Sequence, residues 1–214
     1  MTHDPSTRVA LITGATGGLG SAIVPAFGSA GYSVVSCDAA HPHAARQFDV
    51  TDPTAVEAAV SDILTPSGCK AAAGSYLRDH RRRLGRAFQD QFKSVLVMSR
   101  AVLPHMIERG SGRIINIGAK RGEHGAGGNG PYSVAKAGVL ALPEVMADET
   151  RDSGITVNAA VPSVIDTPGN HAGMPDADYD VWVPPAQIAA TMVFLANNEA
   201  ASISGDRIHV FTKS

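Results

Sequence analysis

Short apolar runs alternate along this chain with longer segments of helical periodicity. Arg8-Val9-Ala10-Leu11-Ile12-Thr13 is an apolar run stopped by Gly14, the pattern of a strand buried on both faces. Residues 18–30 place Leu19, Ile23 and Phe27 on one helical face. Tyr32–Cys37 predicts a second strand that ends at Asp38, and a short third strand falls near Arg46-Gln47-Phe48. Asp52 can then cap a helix that has Pro53 at its first position and runs to about Ile63. A weak fourth strand is assigned to Cys69–Ala73, where Lys70 interrupts the apolar run. A long helix from about Arg86 to Arg109 follows, then a strand at Arg113–Ile117 and a helix from Pro131 to about Arg151. A strand at Ile155–Val161, a helix at Pro185–Asn197 and a strand at Arg207–Phe211 complete the chain. This alternation predicts an α/β fold: one doubly wound Rossmann-type domain over residues 1–214, with a central parallel sheet of about seven strands and helices on both faces. Residues 168–185 are rich in Pro and Asp and read as a loop or lid.

Composition narrows the class. With 18 basic and 20 acidic residues, no charge excess points to nucleic acid or an anionic membrane. Cys37 and Cys69 give no disulfide framework, and Met1–Thr7 has no apolar signal core, so a cytoplasmic protein is expected. His41-Pro42-His43 lacks further ligands at matching spacing, so no metal site is expected. Cys37 reads as a small buried residue beside Asp38.

Two stretches carry chemistry. Tyr132 and Lys136 are four apart on a predicted helix and share a face. A nearby ammonium favours phenolate over phenol, which makes Tyr132 a usable proton donor. The turn Thr13-Gly14-Ala15-Thr16-Gly17-Gly18-Leu19-Gly20 lies between a strand and a helix, where glycines admit a close-lying pyrophosphate; a plain strand-to-helix turn is the alternative. Asp38 ends the second strand 18 residues after Gly20, in place to accept bonds from an adenosine ribose. A carboxylate there repels a 2′-phosphate, so NAD(H) is favoured over NADP(H). Asp49 and Val50 either flank the adenine or serve only the entry into the next helix.

These features resemble the short-chain dehydrogenase/reductase family over nearly the whole chain. The T-G-x-x-x-G-x-G turn, Asp49-Val50, Ile114-Ile115-Asn116-Ile117 and Tyr132-x-x-x-Lys136 stand in family order. Val161-Pro162-Ser163-Val164-Ile165-Asp166-Thr167-Pro168 matches the segment that covers the nicotinamide. The resemblance implies a small-molecule substrate, and cofactor contacts at Gly14, Thr16, Gly18, Leu19, Gly20, Asp38, Asp49, Val50, Ala73, Gly74, Lys136, Ile165 and Thr167, with Thr167 on the carboxamide. It also implies a homodimer or homotetramer formed through helices 86–109 and 131–151.

The departures are informative. Ala119 stands where the family has its catalytic serine, Gln91 approximately where it has a helix asparagine, and Ala71-Ala72-Ala73-Gly74 where it has N-N-A-G. One branch, the dihydropteridine reductases, resembles this pattern. It shares Gly118-Ala119-Lys120, an aromatic residue after strand four (here Tyr76), the stretch around Met174-Pro175-Asp176-Ala177-Asp178 with Trp182, and the tail Ser204–Val210. It implies NADH-dependent reduction of a quinonoid dihydropterin, an acceptor already electrophilic. Tyr76, Ala119, Lys120 and Trp182 are then the substrate-side candidates. Two further readings stand beside pterin reduction: a catalytically silent nucleotide-binding or scaffold protein on the same fold, or a tailoring ketoreductase or dehydratase of a biosynthetic pathway. Lys120 reads more readily as a surface lysine and the arginines Arg78–Arg86 as a solvated face, while Trp182 reads equally as loop packing.

Overall fold

The computed structural model describes residues 8–39, 44–64, 85 and 88–212. Among these, six strands form two parallel three-stranded sheets. The first contains β1 (Val9–Thr13), β2 (Ser33–Asp38) and β3 (Arg46–Gln47), with Thr13 opposite Cys37. The second contains β4 (Gly112–Ile117), β5 (Ile155–Pro162) and β6 (Arg207–Val210), with Ile117 opposite Ala160. The strand expected at Cys69–Ala73 lies outside the described residues, as do Ala73, Gly74, Tyr76, His41–His43 and Arg78–Arg83.

The helices are α1 (Gly20–Ser29), α2 (Pro53–Leu64), α3 (Ser94–Arg109), α4 (Lys120–Glu123), α5 (Gly130–Glu149), α6 (Pro168–Gly173) and α7 (Pro185–Ala196). Strand β5 decides how they are layered. Its Ala160 joins Ile23 and Phe27 of α1 and Ile188 and Met192 of α7 in one core that also holds Ala10, Ile12 and Val210. Its Val157 packs instead with Met146 of α5, and its Ala159 and Val161 with Leu140 of α5. Alternate residues of a strand point to opposite faces, so α1 and α7 cover one face and α5 the other. All eight residues of β5 are buried, and each of its buried valines contributes roughly 1.5–3 kcal/mol. Asn158, fully buried in this strand, is satisfied at both ends: Nδ2 donates to the Ile203 carbonyl at 2.8 Å and Oδ1 accepts from the Asp206 amide at 3.1 Å.

Two elements differ from the sequence expectation. The long helix before β4 is not regular α-helix throughout: Phe88–Lys93 is a π-helix that leads into α3. The reason is tertiary. Phe92 lies so close to α5 that a Cβ on Gly138 would stand 2.8 Å from its ring. The expected bare loop at 168–185 contains α6 and a 3-10 turn at Tyr179–Val181, each with a side-chain cap: Thr167 accepts from the Asn170 amide and Asp178 from the Asp180 amide.

Candidate active site

The turn after β1, Asp38 at the end of β2, Ala119 after β4 and Thr167 after β5 all lie beyond the carboxyl ends of parallel strands. Open α/β sheets bind ligands there. Gly14 takes φ +60°, a left-handed conformation that favours glycine. Gly20 is buried, and a Cβ on it would stand 2.1 Å from the Gly14 carbonyl oxygen. The turn is thus folded tightly under the start of α1. Gly18 faces Thr167: a Cβ there would meet the Thr167 Cβ at 3.0 Å. Thr16 donates to Asp38 Oδ2 from both its amide (3.3 Å) and its hydroxyl, and the Ala39 amide reaches Oδ1 at 2.9 Å. The Asp38 carboxylate is therefore held on the turn, at the side where a dinucleotide ribose would lie. A glycine cradle at a helix start, a fixed carboxylate at the next strand end and a threonine across from Gly18 fit a nicotinamide dinucleotide.

Tyr132 and Lys136 lie in the first turns of α5, where Pro131 sits at the helix start. The Lys136 Nζ is 6.0 Å from the centre of the Tyr132 ring and donates to the Ile117 carbonyl at 2.6 Å. That carbonyl belongs to the last residue of β4, so the strand end holds the lysine in place. Lys136 is buried, and burial pushes its ammonium down to about 8 from the usual 10.5. The charged form is thus the one the fold disfavours, a difference of roughly 3 kcal/mol. This penalty is fully present below pH 8 and vanishes as the pH rises toward 10.5, where the unfolded chain also loses the proton. The stability of the protein relative to a Lys136→Met variant should therefore rise between pH 8 and pH 10.5. Paired thermal melts across that range check this; a pH-independent difference would contradict it.

Ala119 is buried at the N-cap of α4 and offers no hydroxyl. Lys120 places its Nζ 5.0 Å from the centre of the Phe211 ring, a cation–π contact with the C-terminal tail. His209, on β6 just before that tail, meets the Glu123 carboxylate at 2.9 Å.

Several sequence candidates have structural roles. The Asp49 carboxylate accepts from the Thr51 amide and hydroxyl, both at 2.8 Å, and these bonds hold it below the usual carboxylate range. Together with Asp52, which accepts from the Thr54 amide at 2.9 Å, it builds the entry to α2. Val50 packs against Val56, Val60 and Met98. Ile165 packs against the core shared by α1 and α7, and Leu19 precedes α1 and packs against the same core. Trp182 is only 5% exposed and packs on His171 and Tyr179, so it braces the 168–185 segment from within. Cys37 is buried, as expected. Gln91 lies within the π-helix, a feature that is frequent at functional sites and that periodicity does not reveal. No group of three or more metal-binding side chains occurs among the described residues, and no described helix is long and apolar enough to cross a membrane.

A parallel α/β sheet with a dinucleotide cradle and a Tyr–Lys pair at its carboxyl edge defines an NAD(P)-dependent oxidoreductase. The profile of the short chain dehydrogenase family matches residues 8–177, and the chain belongs to that family. It is 30% identical to the 3-oxoacyl-(acyl-carrier-protein) reductase FabG of Vibrio cholerae, over 95% of each chain. It is 31% identical to an acetoacetyl-CoA reductase of Rhizobium meliloti, covering 94% of this chain and 96% of that one. Among solved structures, a single-residue variant of the actinorhodin polyketide ketoreductase with NADPH superposes with a TM-score of 0.84 at 25% identity, over 96% of each chain. A gluconate 5-dehydrogenase from Burkholderia cenocepacia, in complex with NADP and tartrate, shares the fold with a TM-score of 0.86 at 22% identity, covering 95% of this chain and 93% of that one.

Proposed function

We propose that the chain is an NADH-dependent reductase of a small electron-poor acceptor, a quinonoid dihydropterin being the candidate, with Tyr132 as proton donor and no catalytic serine. The observation that carries this reading is Ala119, a buried methyl where a ketone reductase needs a hydroxyl. Removing a donor aimed at a developing oxyanion costs about 10²–10³ in rate. An acceptor whose ring is already electrophilic needs that donor least. Bound NADH supplies the hydride. The chain's own groups do the rest: Tyr132 gives up a proton, Lys136 beside it favours the phenolate and orients the ribose, and Thr167 holds the carboxamide.

Asp38 supports NADH over NADPH, because its fixed carboxylate would face a 2′-phosphate. Asp38→Asn should lower the preference for NADH by roughly tenfold or more. Initial rates with both cofactors check this, and an unchanged ratio counts against the role given to Asp38. The names of the relatives favour a second reading, reduction of a β-keto thioester. Parallel assays with a freshly generated quinonoid dihydropterin and with an acetoacetyl thioester separate the two. Turnover of the pterin alone is the expected result. Efficient turnover of the thioester would overturn the preferred reading. The exposed apolar side chains Leu96 and Ile107 on α3, and Val134 and Val145 on α5, support the proposal that the protein forms a homodimer or homotetramer through these helices.

A further inference from the structure

The segment between β5 and α7 is closed at its neck. The Val183 amide donates to the Val164 carbonyl at 2.8 Å, and the Asp166 amide to the Val183 carbonyl at 2.9 Å. Within the loop, His171 Nε2 meets Asp166 Oδ1 at 2.6 Å. The His171 ring lies flat on Tyr179, with centroids 4.0 Å apart and planes 4° from parallel. Tyr179 is anchored independently, because its hydroxyl donates to the carbonyls of Met174 and Pro175 at 3.3 and 3.0 Å. The His171 and Asp166 side chains remain 40% and 44% exposed, so their contact does not serve to fill a core. The core of the loop is Trp182.

Asp166 immediately precedes Thr167, the residue packed against Gly18. The Thr167 carbonyl accepts from the Asn170 and His171 amides, both at 3.0 Å, but the Asn170 amide reaches its hydroxyl only at 3.4 Å, the far limit of such a contact, so its side chain is the loosely held part. The two residues before Thr167 are held by side chains from α6: Asn170 Nδ2 donates to the Ile165 carbonyl at 2.7 Å, and His171 holds Asp166. A short bond between imidazole and carboxylate is charge-assisted and directional.

We infer that His171 is a positioning residue for the cofactor, acting through Asp166 to hold Thr167 over the glycine turn. This rests on the reading of Thr167 as the carboxamide ligand. The Thr167 hydroxyl, only loosely capped by the Asn170 amide, is then placed where an amide can take it up.

The test separates the hydrogen bond from the ring stack. His171→Phe keeps an aromatic face for Tyr179 but cannot donate to Asp166. His171→Gln keeps a donor near the Nε2 position but loses the stack. Titration calorimetry with NADH alone should show His171→Phe weakened roughly five- to tenfold, and His171→Gln close to the parent protein. Asp166→Ala removes the same bond from its other end and should match His171→Phe, with the double variant no worse than either single one. The melting temperatures of all these variants should stay together, because both side chains are half exposed. NADH affinity in His171→Phe equal to that of the parent, or additive losses in the double variant, would overturn the proposal. Binding is measured without any acceptor, so the result does not depend on the substrate. Parent-like binding of NADH by Thr167→Val would instead count against the reading of Thr167 on which the proposal rests.

Discussion

Replacing Tyr132 with phenylalanine is expected to abolish turnover while leaving NADH binding intact. A positioned general acid contributes on the order of 10²–10⁴ in rate. With Ala119 at the serine position, no neighbouring hydroxyl on the β4–α4 turn can take over the proton. The loss should therefore sit at the upper end of that range. The phenyl ring keeps the packing at the start of α5, and Lys136 keeps its bond to the Ile117 carbonyl, so the cofactor side of the site is unaltered. Single-turnover rates alongside NADH titration provide the check. Turnover close to that of the parent would remove Tyr132 from the chemistry altogether. Weakened NADH binding at an unchanged rate would make it a binding residue only.

A comparably large effect is expected from one methyl group in the glycine turn. In Gly20→Ala the new Cβ would stand 2.1 Å from the Gly14 carbonyl oxygen and 2.7 Å from two backbone atoms of Ala15. These are backbone atoms, so no side chain can swing aside, and the turn itself must open. Overpacking ordinarily costs about 1–3 kcal/mol, and the displaced atoms belong to the turn proposed to cradle the pyrophosphate. NADH affinity should fall by at least about tenfold, with a lowered melting temperature. Gly28→Ala, in the same helix, is the matched control: its Cβ would meet nothing within 4 Å, and alanine in a helix interior is worth about 0.5–1 kcal/mol over glycine. Equal behaviour of the two variants would refute the close approach of turn and helix.

What the sequence reveals of this protein is local. The strand before Gly14, the carboxylate at the end of β2, the Asp52 cap and the Tyr132–Lys136 pair each rest on residues a few positions apart, and the structure places them where periodicity and turn chemistry predict. What the sequence conceals depends on partners distant in the chain. Lys120 is drawn to Phe211 at the far end of the chain, and sequence spacing carries no trace of that pairing. The packing of Val50 on the core around Val56, and the place of Asp49 among its bonds to Thr51, are likewise visible only in the fold. The packing of Trp182 inside the 168–185 segment is equally invisible in a Pro-rich stretch. The assignment to a pterin-reducing branch rests on short matches and on one missing hydroxyl, whereas membership of the wider family rests on most of the chain.

The π-helix at Phe88–Lys93 has a consequence for how this chain is lined up with its relatives. A π turn holds one residue more than an α turn, and each residue of an α-helix advances the chain by about 100°. A single-residue deletion here would relax the turn to α geometry and leave α3 in place. Any comparison that threads this stretch as unbroken α-helix will therefore put Gln91 one position out of phase with its counterparts. The identity of the residue that replaces the family's asparagine should be decided by superposing backbones, not by counting letters.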